Sequence, residues 1–150
     1  MTTDAWLAIA HHVAAFGLLA MLAAEWGLVR PGLGATDIRR LVRFDALFGA
    51  FAGAVVIAGI SRVIWGAKPA DFYLESTTFW LKMASLATLG LLSIRPTIRY
   101  IGWRRAVDVD PMAVPSDGDV GRARRVIHLE LAVFMLIPTF AALMARGIGA

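Results

Sequence analysis

Polar residues interrupt this chain in blocks, not at a regular period. Four stretches, about 5–29, 41–65, 78–94 and 126–145, are apolar nearly all round. Each approaches the ~20 residues that a helix needs to cross a ~30 Å hydrocarbon layer. A soluble four-helix bundle would carry a polar stripe along every helix, and these stretches do not show one. The pattern predicts an all-α fold: an integral membrane four-helix bundle, one domain over 1–150, running up-down-up-down because the links are short. The longest link, about 95–125, begins with "RPTIRYIGWRRAV", which reads as a basic helix continuing from the third span. It passes into "DVDPMAVPSDGDVG", whose Pro, Gly and Asp without apolar periodicity predict a loop. In "GAKPADFYLEST", Phe72 and Tyr73 are expected on the membrane surface, with Ser76 or Thr77 capping the third span.

Composition strengthens the membrane assignment. Hydrophobic residues make up 59% and charged residues 17%, against roughly 45–50% and about 25% in a soluble domain. The basic residues are unevenly placed. Arg30, Arg39, Arg40 and Arg43 crowd the first link, and Arg95, Arg99, Arg104, Arg105, Arg122, Arg124 and Arg125 the third. The second link sets Lys68 against Asp71 and Glu75. The positive-inside rule then predicts cytoplasmic first and third links and both termini outside, in a multi-pass protein of a bacterial inner membrane. The basic excess is a topology signal and implies membrane lipid as partner, not nucleic acid. The "MTTDAW" start lacks the basic residue of a signal peptide, so the first block is expected to be a retained span.

With no cysteine, disulfides, thiolate metal sites, iron–sulfur clusters and covalent c-type haem are excluded. Small residues Gly49, Ala52, Gly53, Val56 and Gly59 along span two predict close helix approach, either inside the bundle or in a homodimer. Pro138 is expected to kink span four.

A helix rises ~1.5 Å per residue, so sequence position converts to depth. His11 and His12 fall about 9–11 Å below the outer edge, level with Arg62 and Lys82 from spans two and three. Glu25, Arg43, Asp45, His128 and Glu130 gather near the inner edge. That inner group is close to charge balance and is expected to pair and lock the bundle. The outer group holds two cations and two imidazoles with no carboxylate at matching depth, which invites an anionic guest. Haem b suits such a set: its iron takes an imidazole, and its propionates favour Lys or Arg. His12 or His11 would be the metal ligand, with Arg62 and Lys82 as further cofactor-binding residues; which histidine faces the interior stays open. His128 lies roughly 15–20 Å away along the membrane normal and cannot share the iron.

The segments "AHHVAAF", "RFDALFGAFAG", "FWLKMASLATLGLLSIRPTIRYIGWRR" and "LELAVFMLIPTFAALMARG" resemble a family of predicted membrane proteins, domain of unknown function 2214. The resemblance covers nearly all the chain and implies a membrane bundle without an assigned activity. A weaker resemblance runs to the HemJ-type protoporphyrinogen oxidases and CopD-like membrane proteins. It implies b-type haem held by an early histidine, matched by His12 or His11, and a later lysine, matched by Lys82. The HemJ-like pattern has a second histidine two residues before the lysine, where this chain has Trp80.

Three functions follow from these residues. The first is a haem-binding protein for electron transfer or tetrapyrrole redox chemistry, with a redox partner protein. The second is a proton or small-solute transport module using both polar groups, with Ser85 and Ser93 on the side of Lys82. The third is a non-catalytic subunit or assembly factor whose charges fix helix register. Neither a phosphate-cradling loop nor a nucleophile–base motif is present, so nothing points to a soluble hydrolase or nucleotide enzyme.

Overall fold

Each apolar block is helical, and the helices run past the blocks that predicted them. The computed structural model describes residues 3–149. Its helices are α1 (Thr3–Leu28), α2 (Ala35–Trp65), α3 (Ala70–Leu74), α4 (Thr77–Val109) and α5 (Asp117–Ala145), with no strand among the described residues. α1, α2, α4 and α5 are each long and apolar enough to cross a membrane, and together they form the four-helix bundle. α2 has 31 residues and α4 has 33, about 46 and 50 Å of helix against a ~30 Å apolar layer. The surplus projects at the end that carries the arginine-rich links. The start of α1, the end of α5 and the α2–α4 link lie at the opposite, histidine end.

The third link holds the expected helical continuation of the third span, but its loop is shorter than expected. Helix α4 continues through Pro96 to Val109, and α5 starts at Asp117, so "DGDVG" belongs to a helix. Ser116 explains the early start: its Oγ accepts from the Asp119 amide at 3.2 Å, and Asp117 and Asp119 suit the first turn. Ser76 caps α4 in the same way, accepting from the Phe79 amide at 3.4 Å. Tyr73 also departs from expectation. It is buried, its ring 6.0 Å from that of Phe79, whereas Phe72 stays half-exposed beneath the Lys68 ammonium.

The helices close a ring. α1 packs along α2 and α4 along α5, while smaller α2–α4 and α1–α5 interfaces join the two hairpins. The backbones of the diagonal pairs do not come close among the described residues. Buried positions on α1 (Ala14, Leu18, Leu22, Glu25 and then Val29) recur every three or four residues and mark the inward stripe. In lipid such an interface gains from close van der Waals contact, since the solvent is itself apolar. Gly17 faces such a contact, because a β-carbon there would overlap the edge of the Phe51 ring of α2. Gly49 and Gly53, by contrast, meet nothing within 4 Å of an added β-carbon. The close packing expected of them inside the bundle does not occur, and they line a shallow groove of about 230 Å³ with Leu86, Gly90 and Ser93.

Packing is uneven along the axis. At the arginine end, Val29, Leu33, Ile38, Leu41, Val107, Val120, Ala123 and Ile127 are all buried. Arg124 donates to the Trp26 and Val29 carbonyls, closing the last turn of α1, and Arg39 pairs with Asp108 at 2.9 Å. The histidine end has few such residues. There the chain after α5 turns through Gly147 (φ 74°) and Gly149 (φ 83°), a conformation suited to glycine. This turn lets the Gly149 carbonyl accept from the Thr77 amide at 2.8 Å and the Ile148 carbonyl accept from Thr78 Oγ1 at 3.1 Å. Asp4 Oδ1 accepts from the Ala67 amide at 3.3 Å.

Candidate functional site

Where the helices separate at the histidine end, they border an open cavity of about 1060 Å³. His11, His12, Arg62 and Lys82 all line it. Small-molecule sites typically occupy ≈ 300–1,000 Å³, so this one is large. Most of its wall is apolar, including Phe16, Val55, Ile60, Phe134 and Pro138. Pro138 therefore stands in the wall of the site, on the α5 segment that faces the two histidines.

The histidines differ in setting. His11 lies on the inward stripe of α1, and its ring stands against Gly59 of α2, where a β-carbon would sit 3.5 Å from Cε1. Its Nδ1 is buried without a hydrogen-bond partner among the described residues. His12, one helical step (~100°) round, is more exposed and places Nδ1 2.6 Å from the Ala8 carbonyl. That contact has the Nδ1–H donate and leaves the Nε2 lone pair free. A backbone carbonyl holding one ring nitrogen is the usual way a ligating imidazole is fixed. The two rings meet edge to face with centroids 6.1 Å apart.

Arg62 and Lys82 enter from α2 and α4, both half-buried. Arg62 Nε is buried without a partner, and neither residue forms an ion pair among the described residues. Lys82 Nζ lies 5.3 Å from the Phe79 ring centroid. Asp4, which the depth argument passed over, also lines the cavity, so one carboxylate does reach the group. Lys68 lines it as well. The balance of the wall remains cationic.

The inner group is rearranged more deeply. The expected pairing of Glu25, Asp45 and Glu130 with Arg43 and His128 is not found. Arg43 is exposed, and exposed His128 accepts from Trp26 Nε1 at 2.9 Å through Nε2. The three carboxylates turn inward instead, buried at 3%, 7% and 2% exposure. The reason is azimuth: Arg43 and Asp45 share a depth, but two residues on a helix are ~200° apart. Thr97 donates to Asp45 Oδ1 at 2.8 Å, and fully buried Tyr100 stands close to all three acids. Sequence reasoning missed both residues. The stripe Ser85, Leu89, Pro96, Tyr100, Val107 was the available signal. Ser85 donates to the Leu81 carbonyl and Ser93 to the Gly90 carbonyl, so these hydroxyls are spent on their own helix and do not link the two groups.

Among the described residues no three His, Asp or Glu side chains converge closely enough to hold a metal ion on their own. The family model described as "Predicted membrane protein (DUF2214)" matches residues 3–149. No curated protein and no solved structure matches the chain.

Proposed function

The chain belongs to the DUF2214 family of predicted membrane proteins, and from that premise we propose that it binds haem b or a related acidic tetrapyrrole at its histidine end. The observation that carries this reading is the meeting of His11, His12, Arg62 and Lys82 on one large apolar cavity, with buried nitrogens on His11 and Arg62 unpartnered. Buried polar groups left unmatched cost roughly 1–3 kcal/mol each, a cost that a guest bearing carboxylates would offset. His12 would ligate the iron through Nε2, its tautomer fixed by Ala8. His11, Arg62 and Lys82 would hold the acidic groups, and the apolar wall would exclude water from the macrocycle's faces. Bound there, haem supplies one-electron chemistry. The likeness of His12 and Lys82 to the HemJ-type pair supports this assignment. By the positive-inside rule the site lies beneath the outer leaflet of a bacterial inner membrane, with the arginine end cytoplasmic.

Absorption spectroscopy tests it. Protein purified in detergent from haem-replete cells is expected to show a Soret band, lost in His12→Ala and weakened at least tenfold in affinity by Arg62→Ala with Lys82→Ala. A colourless protein that also fails to take up added haemin would overturn the reading. Loss of the band in His11→Ala but not His12→Ala would exchange the two histidines' roles. A colourless preparation carrying a co-purified acidic lipid would reassign the cavity to an anionic amphiphile.

A further inference from the structure

At the other end of the bundle lies a polar group that the tetrapyrrole reading does not use. Glu25 of α1, Asp45 of α2, Thr97 and Tyr100 of α4, and Glu130 of α5 bring one or more polar side chains from every spanning helix to one level. The group is sealed on both sides. Toward the arginine end each helix follows its acid or phenol with buried apolar residues: Val29, Leu41, Val107 and Ile127. Toward the histidine end Leu22, Phe48, Leu89 and Phe134 do the same.

Among the described residues no cation pairs with these acids. Arg43 and His128 point away, as shown above, and Arg124 is engaged with the end of α1. Arg99, adjacent to Tyr100 in the chain, forms no ion pair with the three acids among the described residues. Three bare carboxylates held together here would cost far more than the fold can supply, since an isolated buried charge is costly and like charges add repulsion. Glu25 Oε1, Glu130 Oε2 and Tyr100 Oη are all buried without a hydrogen-bond partner among the described residues. Tyr100 has 0% exposure, and its hydroxyl offers the acids a neutral donor.

We propose that Glu25, Asp45 and Glu130, with Tyr100, form a proton-binding site, in which the carboxyls hold protons in place of counter-ions. A metal ion is the competing occupant, and the side chains do not converge closely enough to coordinate one. Thr97 fixes Asp45 by donating to Oδ1, which leaves the Glu25 and Glu130 oxygens as the positions that gain and release protons. The site is independent of whether a tetrapyrrole binds at the far end.

Infrared spectroscopy of the full chain in lipid nanodiscs tests this directly. At neutral pH the protein is expected to show the carbonyl stretch of un-ionised carboxylic acid. That band should shrink in Glu25→Gln, Asp45→Asn and Glu130→Gln and vanish in the triple variant. Tyr100→Phe should keep the band and shift its frequency, because a neighbouring donor is gone. The substitutions are neutral and nearly isosteric, so the triple variant should fold. Raising the pH should lower the melting temperature of the wild type, as protons held only in the folded state are stripped, and leave the triple variant nearly unchanged. The proposal is overturned if wild type lacks the band at neutral pH, or if the triple variant retains it. It is equally overturned if sodium, potassium, magnesium or calcium salts abolish the band at constant pH, which would assign the site to a metal ion.

Discussion

Gly17 shows how much one missing methyl group decides. At Gly17, α1 presents hydrogen to the Phe51 ring of α2, and Gly17→Ala must displace that ring. Overpacking of this kind costs typically 1–3 kcal/mol, and the loss is expected in reversible unfolding by denaturing detergent. Combining Gly17→Ala with Phe51→Leu should cost less than the sum of the two single losses, since the smaller side chain makes room. Strict additivity would mean that the two residues do not press on each other. Residue scale is also where reading the sequence reached its limit. Position along a helix gives depth, and depth correctly levelled His11, His12, Arg62 and Lys82. It says nothing of azimuth. That is why Arg43 and His128 were grouped with acids they do not touch, and why Tyr100 was not seen among them.

Helix ends obey rules that are partly visible in the letters. The cap of α4 is the single Ser76 of "LESTTF", and its Oγ also contacts Thr78 Oγ1 at 2.9 Å. Losing such a cap costs typically about 1 kcal/mol. Ser76→Ala is therefore expected to lower stability by about that amount and to speed amide exchange over the first turn of α4, as hydrogen-exchange mass spectrometry would record. An unchanged exchange rate there would show that the Gly149 carbonyl on Thr77 suffices by itself. The start of α5 at Asp117 was harder to foresee, because "DGDVG" carries two glycines in five residues. Its helix is held by Ser116 and by Val120 and Ala123 buried beneath the arginine links, a tertiary gain that composition alone does not report.

For the whole molecule, length and apolarity were enough to foresee a four-span bundle. They could not foresee that it is packed at one end and open at the other, because that depends on which side chains face the axis. Orientation in the membrane can be read with the cysteine-free background. Glu75→Cys lies at the histidine end and Val114→Cys in the third link, both exposed. A membrane-impermeant maleimide added to intact spheroplasts is expected to label Cys at 75 and to reach Cys at 114 only after lysis; the reverse pattern would invert the topology.

The ring of four helices also has a division built into it. α1 with α2, and α4 with α5, are each broad pairings, and the two halves join through narrower seams and the short α3 segment. Each half thus carries a broad interface of its own, apart from the seams that join it to the other. Because the large chamber is lined from both halves, whatever fills it would act as mortar between two walls.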